Sequence, residues 1–259
     1  MKLCRFELKS APGEIRSGIV YSGKVYETDG ANPVAVHEAD QIRPLSPVGL
    51  PPSVRVFRTM PGLIEADEMP AYFYASSTAL IGASPIIPRP EFVSELDFEP
   101  YVVAVIASEG ANVPIEAADD LILGYSLMNV LVARDIERYE KRVGAGPGRS
   151  FDIAIPIGPV LTTPDEMEDS VQTAEFGRRF KLAAVARVNG IEKRRGDLAD
   201  LPFTFAQAIS LASETAHLRT GDLIALGPIA FGQEPENLTP GDEVQLAVEH
   251  LGTLAFRIG

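Results

Sequence analysis

The residues that could do chemistry in this chain come at the end of one apolar run. Residues 124–137 read GYSLMNVLVARDIE, so Asn129 interrupts the run and an Arg134-Asp135 pair closes it. Binding residues are concentrated where a rigid strand runs into a loop, so a strand that ends in paired charges often delivers them to a cleft. The stretch therefore predicts a ligand-binding cleft at the end of a buried strand.

The elements that would position this cleft are mostly strands. Apolar runs at 101–107 and 121–132 are typical of strands buried on both faces. Ser22-Gly23 and Asn189-Gly190 each separate two strand-like segments and predict two-residue hairpins. Many strands with few helices predict a mostly β (α+β) fold with a rolled or barrel-like sheet.

A cluster of prolines suggests the domain organisation. Clustered prolines stiffen a chain and oppose strand pairing, and four of them lie between positions 44 and 52. We expect a small N-terminal β domain with its linker at 1–50 and the main domain at 51–259. Within the main domain, residues 203–216 predict an amphipathic helix, and the charged, glycine-rich residues 137–150 predict a mobile surface loop.

Composition narrows the classes of function. The formal net charge is −13, which repels nucleic-acid phosphates, and the basic cluster at 193–195 is short. The chain has one cysteine, so it can form no internal disulfide or cysteine-rich metal site. No apolar run approaches the roughly 18 residues of a membrane span. We expect a cytoplasmic protein that binds neither nucleic acid nor membranes.

From about residue 54 onward, a series of short segments occurs in a recognisable order. The segments are Leu96-Asp97-Phe98-Glu99, Gly124 to Asp135, Phe151-Asp152 with Pro156-Ile157-Gly158-Pro159, Arg187-Val188-Asn189-Gly190, Thr220-Gly221-Asp222, Leu238 to Asp242 and Leu251-Gly252-Thr253-Leu254. Together they resemble the motifs of the fumarylacetoacetate hydrolase family. The resemblance implies a mixed β-roll preceded by a small N-terminal β domain, a small-molecule substrate and a homodimer.

The resemblance also implies a divalent-cation site, but this sequence departs from its ligand set. The family uses the two glutamates of an E-x-E segment and the aspartate of an N-D-x-S segment. Here Glu99 matches the first glutamate, whereas Tyr101 and Val130 stand at the other two positions and Val132 replaces the serine. A hard cation needs several oxygen ligands, and valine supplies none. We predict no metal and no other cofactor. The family's histidine also has no counterpart in residues 57–65.

The candidate catalytic residues are Glu99, Tyr101 and Arg149. In an apolar cavity without a metal, Glu99 would have a raised pKa and could act as a general acid or base. The alternative is a structural ion pair between Glu99 and Arg134 or Arg149. A phenol at position 101 can donate a hydrogen bond to a substrate oxygen, and the alternative is that Tyr101 only fills the cavity.

A second set of residues is expected to shape the pocket around the substrate. These candidate substrate-binding residues are Tyr72, Tyr74, Asn129, Val130, Val132, Arg134 and Glu137. The alternatives are core packing for the two tyrosines, structural bracing for Arg134 and a solvated surface position for Glu137.

The departures from the family are concentrated in the polar centre, while the turns and glycines match. This pattern favours a repurposed pocket: a metal-independent enzyme that acts on a β-dicarbonyl or enol-type small molecule. The reaction would be an isomerisation, a cyclisation or a decarboxylation. A role in natural-product biosynthesis is also expected, but only because the site residues diverge from those of the family. The alternatives are a non-catalytic binding or structural relative, and a C–C bond hydrolase whose metal has moved to Glu65, Asp67 or Glu68.

Overall fold

The structure is a computed structural model that describes residues 1–30, 32–59, 68–82, 86–144, 153–230 and 234–259. The strands within these ranges are β1 (Lys2–Leu8), β2 (Ala11–Tyr21), β3 (Lys24–Asp29), β4 (Asn32–Glu38), β5 (Ile42–Pro44), β6 (Val54–Arg58), β7 (Tyr72–Ala75), β8 (Leu80–Ile81), β9 (Ile86–Ile87), β10 (Leu96–Ile106), β11 (Ile122–Ala133), β12 (Ile155–Thr162), β13 (Val171–Gln172), β14 (Arg179–Phe180), β15 (Ala183–Val188), β16 (Ile191–Asp197), β17 (Leu223–Gly227), β18 (Glu243–Val248) and β19 (Gly252–Ile258). The α-helices are α1 (Ile115–Ala118), α2 (Arg134–Val143) and α3 (Phe205–Thr215). The predicted mostly β fold is confirmed.

Most strands join one mixed sheet. Its strand order is β4-β3-β2-β1-β12-β11-β10-β17-β6-β7, with β5 paired to β1 and β8 paired to β12. The β17–β6 and β12–β8 pairs are parallel. A second sheet, in the order β16-β15-β18-β19-β9, packs against it, and β13 and β14 form a short ribbon. None of the helices within the described ranges is long and apolar enough to cross a membrane.

The N-terminal strands extend the large sheet, because β1 pairs with β12. They also enclose a small core of their own, in which Phe6, Val25 and Ile42 pack with Val160 of β12. The division of the chain at residue 50 stays a prediction. Both predicted hairpins are confirmed: the backbone φ angles are +48° and +78° at Ser22-Gly23 and +52° and +77° at Asn189-Gly190. Positive φ at both central residues is the geometry of a type I′ turn.

The centre of the large sheet is the antiparallel pair β10–β11. Glu99 lies opposite Val130 and Pro100 lies opposite Asn129. Because strand side chains alternate between faces, Glu99, Tyr101 and Val130 share one face of the sheet. Asn129 lies on the other face. The face with Glu99 carries a core cluster that includes Val103 and Val132. The face with Asn129 carries the larger core, which α3 covers.

Helix α3 forms where the periodicity predicts it. Thr204 and Gln207 form a capping box, in which the Gln207 N–H donates to Thr204 Oγ1 and the Thr204 N–H donates to Gln207 Oε1, at 3.3 Å and 2.9 Å. Phe205, Ile209 and Ala212 bury its apolar side in the larger core.

The prediction of a loop at 137–150 is wrong for its first part, because α2 continues to Val143. Two signals in the sequence favour this helix. Acidic Asp135 and Glu137 occupy its first turn and basic Lys141 and Arg142 its last, which complements the helix dipole. Gly144 then ends the helix in the left-handed conformation, with φ of +67°. Residues 145–150 lie outside the described part of the chain.

Candidate active site

Glu99 is the centre of a buried group of charged side chains. Its side chain is 2% exposed, although it belongs to a strand whose neighbours are almost all apolar. Its Oε1 accepts hydrogen bonds from Arg58 Nη2 at 3.2 Å and from Arg134 Nη1 at 3.0 Å. Its Oε2 accepts a hydrogen bond from the Tyr101 hydroxyl at 2.8 Å. Three donors from three elements, β6, α2 and β10 itself, therefore converge on one carboxylate.

A second carboxylate, that of Asp97, lies two residues earlier on the same face of β10. Its Oδ2 accepts hydrogen bonds from Arg134 Nε at 2.9 Å and Nη2 at 2.7 Å. Its Oδ1 accepts from Arg194 Nη2, and Arg194 Nη1 donates to the Phe98 carbonyl. The Arg194 guanidinium also covers the Phe98 ring, with its central carbon 4.2 Å from the ring centroid. Arg194 comes from β16, so this contact ties the second sheet to β10.

Arg134 links the two carboxylates to helix α2. It is the first residue of the helix, and its Nη1 also donates to Glu137 Oε2 at 3.0 Å. Burial acts to lower the pKa of the Arg134 guanidinium, but the carboxylates of Glu99 and Asp97 outweigh this effect and raise the pKa above its usual value. The guanidinium is therefore charged at every physiological pH. We call Arg58, Asp97, Glu99, Arg134, Glu137 and Arg194 the Glu99 cluster.

Tyr101 is fixed in place by a glycine on the neighbouring strand. A Cβ atom at Gly227 would lie 2.6 Å from Tyr101 Cδ1 and 2.9 Å from the Pro100 carbonyl oxygen. Real side chains do not approach so closely, so only glycine lets the Tyr101 ring lie against this backbone. The ring is fully buried, and its hydroxyl is held at the Glu99 carboxylate.

The residues of this centre do not fit a divalent cation. Both oxygens of Glu99 accept hydrogen bonds from protein donors, and two of these donors are cationic guanidinium groups, which repel a metal ion. Val130 and Val132, on the same face, are fully buried and apolar. Across the described residues, no three or more His, Cys, Asp or Glu side chains form a group that could hold a metal. Of the residues proposed for a relocated metal, Glu65 and Asp67 lie outside that part of the chain.

The structure brings together six of the residues that the sequence proposed. Glu99, Tyr101, Arg134 and Glu137 are joined by the contacts above, and Val130 lies directly opposite Glu99. Val132 lies opposite Asp97 on the same face. The sequence predicts an apolar cavity around Glu99. The structure instead places polar and charged groups around this side chain. They include the ion pair with Arg134 that the sequence left as an alternative. Arg149 lies outside the described residues.

Three proposed substrate-binding residues lie on the opposite face of the sheet. Tyr72 is paired with Phe57, and their ring centroids are 4.7 Å apart. Tyr74 is paired with Arg55, whose Nε donates to its hydroxyl at 3.3 Å. Asn129 is fully buried, and neither polar atom of its side chain has a hydrogen-bond partner among the residues described. The structure therefore does not join these three residues to Glu99.

Three members of the Glu99 cluster were not proposed from the sequence: Arg58, Asp97 and Arg194. Asp97 and Glu99 are separated by two positions in an apolar strand, which places both carboxylates on one face. Arg58 is the last residue of β6 and Arg134 directly follows the last residue of β11, so an arginine at the end of an apolar run is a signal that both share. Arg194 gave no local signal, because its partner Asp97 is 97 residues away in the chain.

Comparison with known proteins agrees with this fold. The family model described as fumarylacetoacetate (FAA) hydrolase C-terminal matches residues 29–259. The chain is 33% identical over 202 residues to the oxaloacetate tautomerase YisK of Bacillus subtilis, which covers 75% of this chain and 64% of that protein. It is 31% identical over 252 residues to an uncharacterized protein of Archaeoglobus fulgidus, covering 93% of this chain and 92% of that one.

Among solved structures, the 2-hydroxyhepta-2,4-diene-1,7-dioate isomerase of Mycobacterium marinum superposes with a TM-score of 0.82 at 22% identity. The superposition covers 100% of this chain and 98% of that one. At this identity the likeness concerns the fold alone.

Proposed function

Since the chain belongs to the fumarylacetoacetate hydrolase family, we propose that it is an isomerase or tautomerase of β-dicarbonyl or enol-type small molecules that works without a divalent cation. The observation that carries the proposal is the contact set of Glu99. A buried carboxylate, a phenol and two guanidinium groups meet where the family resemblance implies a metal. Such a set can move a proton and stabilise an oxyanion by charge, which are the two tasks of an enolisation.

The proposed step moves one proton and is balanced without a further reagent. The Glu99 carboxylate accepts a proton from the carbon next to the substrate carbonyl, and the C–H electron pair forms the enolate double bond. The negative charge that develops on the carbonyl oxygen is stabilised by the Arg58 guanidinium, while the Tyr101 hydroxyl, which donates its one proton to Glu99 Oε2, keeps that carboxylate in position. The protonated Glu99 then returns the proton to the oxygen, giving the enol, and the reverse sequence gives the ketone. Decarboxylation and cyclisation would pass through the same kind of enolate. Both reactions therefore stay within the proposal as more specific possibilities.

The relatives support this class of reaction. The Bacillus subtilis relative is named an oxaloacetate tautomerase. The chain spans 64% of the length of that tautomerase, so the proposal takes from it the reaction class and not the substrate. Hydrolytic C–C cleavage is less favoured, because it needs an activated water, which in the implied site a metal would supply.

The test measures the rate at which the enols of 2-oxo acids and β-dicarbonyl compounds disappear, followed by ultraviolet absorbance. The protein is first treated with EDTA and then compared with the same protein supplied with magnesium or manganese. We expect catalysis above the buffer rate for at least one substrate and the same rate with and without added metal. A rate that appears only with metal would contradict metal independence. No rate above buffer across the series would favour a non-catalytic relative.

Two further parts of the proposal concern the setting of the enzyme. We propose a homodimer, which analytical ultracentrifugation would test, and a cytoplasmic location, which fractionation of the source cells would test. A role in natural-product biosynthesis rests only on the divergence of the site.

A further inference from the structure

We propose that a second copy of this chain packs against an exposed apolar face of the N-terminal sheet, so that two copies meet through the same face. Strands β2, β3 and β4 form this face, and we call it the outer face. Its apolar side chains are Ile15, Ile19, Tyr21, Tyr26, Val34 and Val36. The inference rests on the proposed homodimer, for which it names the surface, and it is independent of the proposed reaction.

The strand register places these side chains together. Ile19, Tyr26 and Val36 lie side by side across the three strands. Strand side chains alternate between faces, so Tyr21, two residues after Ile19, and Val34, two residues before Val36, lie on the same face. The Tyr21 and Tyr26 rings are in edge contact, with their centroids 6.4 Å apart. The apolar residues therefore form one continuous patch.

Exposure separates the outer face from the other side of the same sheet. Tyr21 is 68% exposed, and Val34 and Val36 are 58% and 53% exposed. On the other side, Phe6 and Val25 are buried in the small N-terminal core. Monomeric proteins rarely leave a large contiguous apolar patch open to water, and such patches usually mark an interaction site.

The outer face continues a surface that is already packed. Leu3 of β1 pairs with Ile19 and packs against the core cluster on the Glu99 side of the large sheet. The row that runs from Leu3 through Ile19 and Tyr26 to Val36 is therefore covered at β1 and open at β4. A sheet buries its apolar face by packing against a second layer, and another copy of the same face would supply that layer.

Charge argues against partners that are recruited by charge. The formal net charge of −13 repels nucleic-acid phosphates and anionic lipid headgroups. A basic partner would need carboxylates at its contact, but the charged residues at the end of this face, Lys24 and Glu38, neutralise each other at 2.7 Å. Two acidic copies can approach through such a neutral, apolar face, because it adds no net charge to the contact.

The area agrees with this occupant. The six apolar side chains together expose on the order of 500 Å², so two copies would bury about 1,000 Å², the size at which a specific interface becomes stable. A twofold dimer uses the same patch on both copies, so one apolar face supplies both sides of the contact. The β-branched and aromatic side chains of this face are also the types that interdigitate between packed sheets.

The experiment measures the dimer dissociation constant by sedimentation velocity over a range of protein concentrations. We expect a dimer for the wild type. Val36→Glu and Val36→Lys each place a charge at the centre of the outer face, and each should raise the dissociation constant about tenfold or more, because a charge buried without a partner opposes association. Tyr21→Ser should also raise it, because it removes the most exposed ring of the patch. Both positions are exposed, so the variants should keep the far-ultraviolet circular dichroism of the wild type.

Ile191→Glu and Ile191→Lys are the matched controls. Ile191 is 64% exposed and, like Val36, lies on the edge strand of a sheet, but it belongs to the second sheet. Both control variants should keep the wild-type dissociation constant.

Four results would overturn the inference. The first is a wild-type monomer, which would also refute the proposed homodimer. The second is a dimer that Val36→Glu, Val36→Lys and Tyr21→Ser leave unchanged, because the copies would then meet elsewhere. The third is weakening by Val36→Glu but not by Val36→Lys, which would indicate general charge repulsion. The fourth is equal weakening by the Ile191 controls. Turnover does not enter these measurements, so failure of the proposed reaction would leave the inference intact.

Discussion

Replacing Glu99 with glutamine tests the centre of the site, because it removes one negative charge and little volume. The carboxylate is 2% exposed and accepts hydrogen bonds from Arg58, Arg134 and Tyr101. Removing one partner of a buried ion pair typically costs 3–5 kcal/mol, but Arg134 keeps Asp97 and Glu137, and Arg58 is partly solvated. We therefore expect Glu99→Gln to lower the free energy of unfolding by about 2–3 kcal/mol. A urea titration would measure this loss.

The same substitution should lower turnover much more than it lowers stability. An amide cannot accept the substrate proton, and loss of a positioned acid–base group costs about 10²–10⁴-fold in rate. The double variant Glu99→Gln with Arg58→Gln should regain part of the lost stability, because it removes the guanidinium left without its carboxylate, but none of the rate. Glu192→Gln, which alters an exposed carboxylate paired with Arg195, is the control and should change neither quantity appreciably. A Glu99→Gln protein with wild-type rate and stability would refute the reasoning.

Two further predictions concern the supports of the site. Gly227→Ala places a Cβ 2.6 Å from Tyr101 Cδ1, so it should cost about 1–3 kcal/mol of stability and reduce turnover by displacing the phenol; an unchanged thermal midpoint would contradict this. Burial acts to raise the pKa of Asp135, but hydrogen bonds from the Ser94 hydroxyl and N–H outweigh it and hold the pKa below its usual value. Asp135 therefore stabilises the fold above roughly pH 4, its ordinary pKa, and loses this effect as pH falls through its lowered pKa. Asp135→Asn should lower the thermal midpoint at pH 7 and less in acid, unlike exposed Asp40→Asn, and a pH-independent difference would count against it.

The parts of this fold that were predictable from sequence are those set by neighbours in the chain. The turn at Asn189-Gly190 needs two residues that tolerate positive φ, and the start of α3 needs the Thr204–Gln207 capping box. Helix α2 contradicts the loop prediction, although its charges follow the same kind of local rule. The glycines that suggest a loop, at 144, 146 and 148, all come after the last residue of the helix.

The site was only partly predictable, because its contacts join residues that are far apart in sequence. Glu99 meets Arg58 and Arg134 across 41 and 35 residues, and Asp97 meets Arg194 across 97. No local pattern encodes such pairings, since they follow from the register of β10 with β11 and from the packing of the second sheet against the first. The sequence did indicate that the position which the resemblance gives to an aspartate ligand holds Val130, whose side chain offers a cation no oxygen in any packing.

The energetics of the Glu99 cluster argue that it is kept for function. A buried network of three arginines and three carboxylates is expensive to desolvate, and apolar residues of similar volume often stabilise a fold as well or better. The faces of β10 and β11 around it are already filled with valine and leucine, so an apolar replacement was available to this sheet. Only one of the three positions that the family resemblance gives to metal ligands holds an apolar residue, Val130. The retention of Glu99 with its hydroxyl and guanidinium donors instead fits a pocket in which fixed positive charge acts on a substrate oxygen.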